Sequence, residues 1–258
     1  MSKALLVVSF GTSYAETRKK TIEALEGALT SAFPERKAYR AWTSSIIRKK
    51  LLRTEGLQID SVEEAMERML SQGVTDLLVQ PTHMMIGEEY QKAVEGIKAF
   101  QGRFSRLALG TPLLTSEEDL RRMAKVLEES FPQVKENELL ALMGHGSAVA
   151  EPNPYVIVNR ALAADGYSRF QIGTVEFEPG FEPLLEAARA GKPEKIWLAP
   201  FMVVAGDHAC NDMAGEEDSW ASRFQAAGFE TVSLLRGLGE YSAVQDMYVS
   251  HAREAVVL

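Results

Sequence analysis

The sequence predicts an α/β fold of two pseudo-symmetric lobes, each a parallel sheet flanked by helices, and three observations carry that expectation. Short apolar runs rich in β-branched residues alternate with longer segments of helical period, the pattern of successive βαβ units. The chain also nearly repeats itself. Val79-Gln80-Pro81-Thr82-His83-Met84-Met85-Ile86-Gly87-Glu88-Glu89 overlays Leu198-Ala199-Pro200-Phe201-Met202-Val203-Val204-Ala205-Gly206-Asp207-His208 at a constant offset of 119, which sets Pro81 on Pro200, Gly87 on Gly206 and Glu89 on His208. A second likeness joins Leu5-Leu6-Val7-Val8-Ser9-Phe10-Gly11-Thr12-Ser13 and Leu139-Leu140-Ala141-Leu142-Met143-Gly144-His145-Gly146-Ser147; with Gly11 set on Gly146, Phe10 faces His145.

The first lobe is expected over residues 1–135. Its strands run from Ala4 to Ser9, Lys37 to Ala41, Thr75 to Gln80 and Arg106 to Leu109, and its helices from Ala15 to Ser31, Val62 to Gln72, Glu88 to Phe100 and Ser116 to Ser130. Ser61, three residues before Glu64, and Ser116, two before Glu118, can open helices with acidic first turns. The polar stretch from Gln133 to Asn137 is the expected boundary. The second lobe, 136–258, has strands from Glu138 to Met143, Gln171 to Val175, Lys195 to Ala199 and Thr231 to Leu235. Its helices run from Pro154 to Ala164, Phe181 to Ala190, Ser219 to Ala227 and Ala243 to Ala255, with Gly191 and Gly228 placed as left-handed caps.

At 258 residues, with 46% hydrophobic and 25% charged residues, the chain can bury cores without covalent staples. The single Cys210 allows no internal disulfide, and the apolar run after Met1-Ser2-Lys3 is too short for a membrane span and lacks a cleavage site, so the expected location is the cytoplasm, with no membrane partner. A net charge of −8 argues against nucleic acid. The basic clusters Arg18-Lys19-Lys20 and Arg48-Lys49-Lys50 read as solvated helix faces. No interface stripe fixes an oligomeric state, and a homo-oligomer stays open.

Ligands of open parallel sheets bind at the carboxyl ends of the strands, and that is where the chemistry-bearing residues fall. His145 follows an apolar strand between Gly144 and Gly146, which let the backbone turn and a large ligand approach. His208 follows Gly206-Asp207, with Asp207 or Asp212 available to fix its tautomer. Glu176 follows the strand from Gln171 to Val175, and Glu89 ends the repeat in the first lobe, where an acidic pair opening a helix also serves the helix dipole. Neutral imidazole plus carboxylate suits divalent cobalt, iron, nickel or zinc. Cys210 reads as a small buried hydrophobe and Ser147 as a helix cap or ligand contact. The chain has no phosphate-binding Gly-x-x-x-x-Gly-Lys loop, no complete dinucleotide fingerprint and no nucleophile elbow, so a nucleotide is not expected.

Taken together, Val8-Ser9-Phe10-Gly11-Thr12-Ser13, Pro81-Thr82-His83 through Gly87-Glu88-Glu89-Tyr90, Met143-Gly144-His145-Gly146, Gly173-Thr174-Val175-Glu176 and Gly206-Asp207-His208-Ala209 resemble the anaerobic cobalt chelatases. These are the sirohydrochlorin cobaltochelatases of the ATP-independent class II group, which also contains the ferrochelatases. The likeness runs from the first strand to Gly237-Leu238-Gly239-Glu240. It implies a chelatase-like fold with the tetrapyrrole between the lobes, and a lyase that inserts Co2+ into sirohydrochlorin for cobalamin biosynthesis. His145 and His208 match the family's metal-binding histidines, and Glu176 and Glu89 match acidic residues that its members use at or near the metal.

The implied catalytic set is His145, His208 and Glu176, with Glu89 a fourth candidate for the metal. The divalent metal is substrate: Co2+, with Fe2+ and Ni2+ as further candidates. Phe10, Gly11, Thr12, Ser13, Met84, Met85, Met202 and Val203 are placed at the tetrapyrrole, and Arg48, Lys49, Lys50, Arg53 and Lys92 are candidate partners for its carboxylates. The alternatives are a ferrochelatase for sirohaem, a metal or tetrapyrrole carrier without turnover, and a two-lobed receptor of the periplasmic-binding type.

Overall fold

A run such as Ala4-Leu5-Leu6-Val7-Val8, apolar at consecutive positions, is stable as a strand where helices cover both faces of its sheet. The computed structural model, which describes residues 2–148 and 153–258, places it there. β1 (Ser2–Ser9) lies between β2 (Lys37–Trp42) and β3 (Val74–Pro81), with β4 (Arg106–Leu109) beyond β3; these four strands are parallel, and β9 (Val256–Val257) adds an antiparallel edge. Side chains alternate between the two faces. Leu6, Val8, Leu77 and Val79 pack with Val62, Ala65, Met66 and Met69 of α4 (Val62–Ser71) and with Ala93 and Ile97 of α5 (Glu88–Lys98). Leu5, Val7, Leu78 and Ala108 meet Leu29 of α2 (Ile22–Ala32) and Val249 and Ala252 of α10 (Ser242–Arg253).

The second unit repeats this plan with four parallel strands in the order β6 (Phe170–Thr174), β5 (Leu139–Gly144), β7 (Ile196–Pro200), β8 (Thr231–Ser233). Leu139, Ala141, Met143, Ile196 and Leu198 pack with Leu184, Leu185 and Ala188 of α8 (Glu182–Gly191) and with Trp220 and Phe224 of α9 (Trp220–Ala226). There Phe181 stacks 4.7 Å from Phe224 and 5.4 Å from Trp220, centroid to centroid. α7 (Pro154–Ala164) packs on β6 and on α6 (Glu117–Ser130).

The sequence repeat is also a repeat of register. Val8 pairs with Pro81 and Met143 with Pro200. Beyond these prolines, Thr82 N–H donates to the Val8 carbonyl at 2.8 Å and Phe201 N–H to the Met143 carbonyl at 2.6 Å. Further on, the carbonyls of His83 and Met84 accept from Leu113 and Leu114, and those of Met202 and Val203 accept from Leu238 and Gly239. The backbone after the third strand of each sheet is therefore held in the same way.

All eight expected strands form, while five details differ from expectation. The chain divides into Met1–Thr115 with Ser242–Leu258 and into Ser116–Tyr241, not at residue 135. The cause is α10: its buried face covers the first sheet, and the Tyr248 hydroxyl, fully buried and held protonated by that burial, donates to the carbonyls of Thr82 at 2.9 Å and His83 at 3.1 Å. The expected helix from Ala15 breaks at Thr21 into α1 (Ala15–Lys20) and α2, because the Thr21 hydroxyl donates back to the Thr17 carbonyl at 2.6 Å. An unexpected helix, α3 (Ser45–Glu55), follows β2. The left-handed cap of α8 is Lys192, not Gly191, whereas Gly228 takes that conformation as expected. Finally, β9 was not foreseen. The caps at Ser61 and Ser116 are full capping boxes, the second closed by Asp119.

Candidate metal centre

His145 leaves the end of β5 exposed, on a turn that its neighbours make possible. Gly146 has φ +97°, and a Cβ there would lie 1.8 Å from the Glu176 carbonyl oxygen; a Cβ on Gly144 would lie 2.4 Å from the Tyr155 ring. The room these glycines make is thus filled by the protein itself. Gly146 N–H donates to the Tyr155 hydroxyl at 3.1 Å, and Glu176 N–H donates to the His145 carbonyl at 2.9 Å. Glu176 is exposed, and after it Phe177 adopts a left-handed φ of +65° with 53% of its surface open. The Thr174 hydroxyl holds this turn by donating to the carbonyls of Phe177 and Pro179, at 2.8 and 3.1 Å.

His208 precedes a π-helical turn, Ala209–Met213, that brings Asp212 back to it. Asp212 Oδ2 lies 2.7 Å from His208 Nδ1, which assigns the proton to Nδ1 and leaves the Nε2 lone pair for a ligand. The rings of His145 and His208 meet edge to face with centroids 4.9 Å apart. His145 Nδ1 lies 3.2 Å from the Gly146 carbonyl. Of the two carboxylates considered for His208, Asp212 does the orienting. Cys210 is half-buried, and its thiol is pushed up by burial and then by the Asp207 charge. Ser147 does not cap α7, whose cap is Asn153, accepting from Tyr155 N–H at 3.0 Å. The second unit therefore gathers His145, His208 and Asp212, with Glu176 tied to His145 through the main chain. Among the described residues no group of three His, Cys, Asp or Glu side chains is already arranged to hold a metal ion.

The corresponding loops of the first unit carry other side chains. Gly11, at φ +104°, matches Gly146, and a Cβ on it would lie 2.5 Å from the Trp42 ring. Phe10 is 48% exposed beside it. Thr12 and Met85 are buried, whereas Met84, Met202 and Val203 are half-buried, and the Ser13 hydroxyl accepts from Lys50 Nζ at 3.0 Å. Glu89, second residue of α5, pairs with Lys92 at 3.2 Å on the surface. Arg48 donates to Glu64 at 2.9 Å, while Lys49 and Arg53 are exposed on α3.

One residue of the first unit was quoted in the repeat without being given a role. Both ring nitrogens of His83 are buried and have no hydrogen-bond partner among the described residues, although part of the side chain reaches the surface. Burial holds its pKa down at about 4, against a smaller opposing effect of the Glu89 charge. The Tyr90 ring stands edge-on at 6.1 Å. Nothing in the sequence distinguishes such an unsatisfied imidazole from a bonded one. No helix among the described residues is long and apolar enough to cross a membrane.

Comparison with known proteins gives the family. The family model described as cobalt chelatase (CbiK) matches residues 3–257. The chain is 38% identical over 257 residues to a sirohydrochlorin cobaltochelatase of Salmonella typhimurium, covering 99% of this chain and 97% of that one. It is 30% identical over 258 residues to sirohydrochlorin cobaltochelatase CbiKC of Nitratidesulfovibrio vulgaris, covering 98% and 90%. In fold it is similar to SirB from Bacillus subtilis with Fe3+, with a TM-score of 0.65 at 15% identity over 98% of this chain and 95% of that one. The sirohydrochlorin chelatase SirB in complex with cobalt gives a TM-score of 0.62 at 16% identity over the same shares. With nearly every residue inside the family match, the chain belongs to the cobalt chelatase family CbiK.

Proposed function

We propose that the chain inserts Co2+ into sirohydrochlorin without ATP, as a cytoplasmic lyase of anaerobic cobalamin biosynthesis. The observation that carries this reading is the pair of imidazoles 4.9 Å apart at strand ends of one sheet, in a chain matched almost end to end by the cobalt chelatase family. His145 and His208 bind the ion, and a carboxylate, Glu176 or Glu89, completes the set. Three protein donors leave coordination positions open, so the metal is held and can still pass to the pyrrole nitrogens. Asp212 keeps His208 turned to the metal through Nδ1.

The pyrrole N–H protons must leave as the metal enters. Imidazole is the side chain that most easily changes charge near neutral pH, so it serves as ligand and as base at different moments. Phe10 and Ile86, which follow β1 and β3 and are 48% and 47% exposed, offer apolar surface to the macrocycle.

Mixing the protein anaerobically with sirohydrochlorin and Co2+, Fe2+ or Ni2+, without ATP, tests the reading through the tetrapyrrole absorption spectrum. Metal-dependent acceleration over the protein-free control is expected, fastest with Co2+, and His145→Ala and His208→Ala abolish it. A spectral change that stops at one protein equivalent replaces the enzyme with a carrier. Parent rates in either histidine variant overturn the ligand assignment.

A further inference from the structure

The carboxyl ends of β1 and β2 in the first unit open on a pocket of about 410 Å³, near the lower end of small-ligand sites. Phe10, Trp42, Thr43, Arg48, Glu89 and Lys92 are among its walls. Trp42 is fully buried, and its indole Nε1–H has no acceptor among the described residues. The buried Thr43 hydroxyl and the buried Arg48 Nε–H have none either, although Arg48 Nη1 donates to Glu64 at 2.9 Å and to the Ile59 carbonyl at 3.3 Å.

A buried donor without a partner is costly, and three of them around one pocket point to an occupant. Indole and guanidinium N–H groups carry no lone pair, so the occupant must bring acceptor oxygens. The N-terminus of α3 opens on the same pocket through Ser44, Ser45 and Ile46 and favours negative charge there. Two carboxylates also line the space: Glu89, which pairs with Lys92 at 3.2 Å, and Glu63, which is exposed and so can stay in water. At the rim, Phe10 and Ile46 are 48% and 79% exposed and form an apolar margin.

We propose that this pocket seats one acidic side arm of the tetrapyrrole, its carboxylate accepting from Trp42 Nε1–H, Thr43 Oγ–H and Arg48 Nε–H while the ring lies over Phe10 and Ile46. The inference rests on the chelatase reading and deepens it by naming residues that orient the macrocycle and select its substituents. A macrocycle with an apolar group in place of that arm leaves three donors unpaired and is rejected for that reason.

The test follows the Trp42 indole N–H resonance of the full chain, assigned by its loss in Trp42→Phe, while metal-free sirohydrochlorin is added. Alongside, the tetrapyrrole Kd is measured for Thr43→Val and Arg48→Lys, and the Co2+ Kd without tetrapyrrole. The indole proton is expected to move downfield, and the tetrapyrrole Kd to rise about tenfold in each variant, with cobalt binding as in the parent. Thr43→Val removes a single hydroxyl, so it keeps the test valid if Trp42→Phe folds poorly. An indole resonance that stays in place at saturating tetrapyrrole, or parent Kd values in both variants, overturns the proposal. If the parent inserts cobalt while these readouts stay still, the subsite falls and the chelatase stands; if the indole moves and no metal is inserted, the reverse holds.

Discussion

The strand-end loops of the two units differ in side chain and hardly at all in backbone. In the first, Phe10 precedes a glycine at φ +104°, and the amides of Thr43 and Ser44 donate to the carbonyls of Ser9 and Phe10 at 2.9 and 3.2 Å. In the second, His145 precedes a glycine at φ +97°, and Val175 and Glu176 donate to Gly144 and His145, both at 2.9 Å. Glu89 and His208 hold matching places one loop further on. Thus Phe10, Ser44 and Glu89 on one scaffold become His145, Glu176 and His208 on the other. The shared hydrogen bonds determine where a side chain is delivered, and the side chain alone determines what chemistry arrives there.

If the two glycines do the same backbone work, replacing either should destabilise the protein, and the second unit should suffer more. A Cβ on Gly146 meets a main-chain oxygen at 1.8 Å, which cannot swing away, whereas one on Gly11 meets the Trp42 side chain at 2.5 Å. Gly146→Ala is expected to cost about 3 kcal/mol or more and Gly11→Ala about 2 kcal/mol by denaturant unfolding. Equal stability of Gly146→Ala and the parent would break the comparison.

The third loops differ in the first unit's favour for pH sensing, since His83 holds the place of Met202. The unfolded chain protonates His83 near pH 6.5, and the folded chain only near about 4. The unfolded state therefore binds more protons between these values, and stability falls as pH drops from 6.5 to 4, by about 2 to 3 kcal/mol in all. His83→Met should remove this part of the slope. An unchanged pH profile in that variant would contradict the burial assigned to the imidazole.

Among the described residues Asp212 has no counterpart at Glu89, whose ion-pair partner is Lys92. Asp212→Asn keeps the shape and loses the charge, and is expected to weaken cobalt binding roughly 10- to 100-fold by calorimetry. Lys92→Ala, removing an exposed pair, should change stability by less than about 1 kcal/mol.

The sheets were legible in the sequence because a parallel strand covered on both faces reads as an unbroken apolar run, as Leu139 to Met143 does. The ownership of α10 was not, since a helical period announces a buried face without saying which sheet it covers. α3 escaped because Leu51 is its one buried residue, which leaves almost no apolar stripe to read. The places of His145, His208 and Glu176 after strands could be read in advance, whereas the carboxylate behind His208 could only be narrowed to Asp207 or Asp212. The edge-to-face contact of the imidazoles, the π-helical turn and the orphaned donors of Trp42 and Arg48 could not, because satisfaction of a buried polar group is a property of the folded surroundings.

The most direct test of the claim that the second unit's loops carry the metal is a Co2+ titration of the parent, His145→Ala, His208→Ala and Phe10→Ala, without tetrapyrrole, followed by the cobalt absorption bands. One ion per chain is expected to bind the parent and Phe10→Ala alike, with affinity at least about 100-fold weaker in each histidine variant. Parent affinity in His145→Ala or His208→Ala would place the metal elsewhere and leave the difference between the two units without chemical meaning.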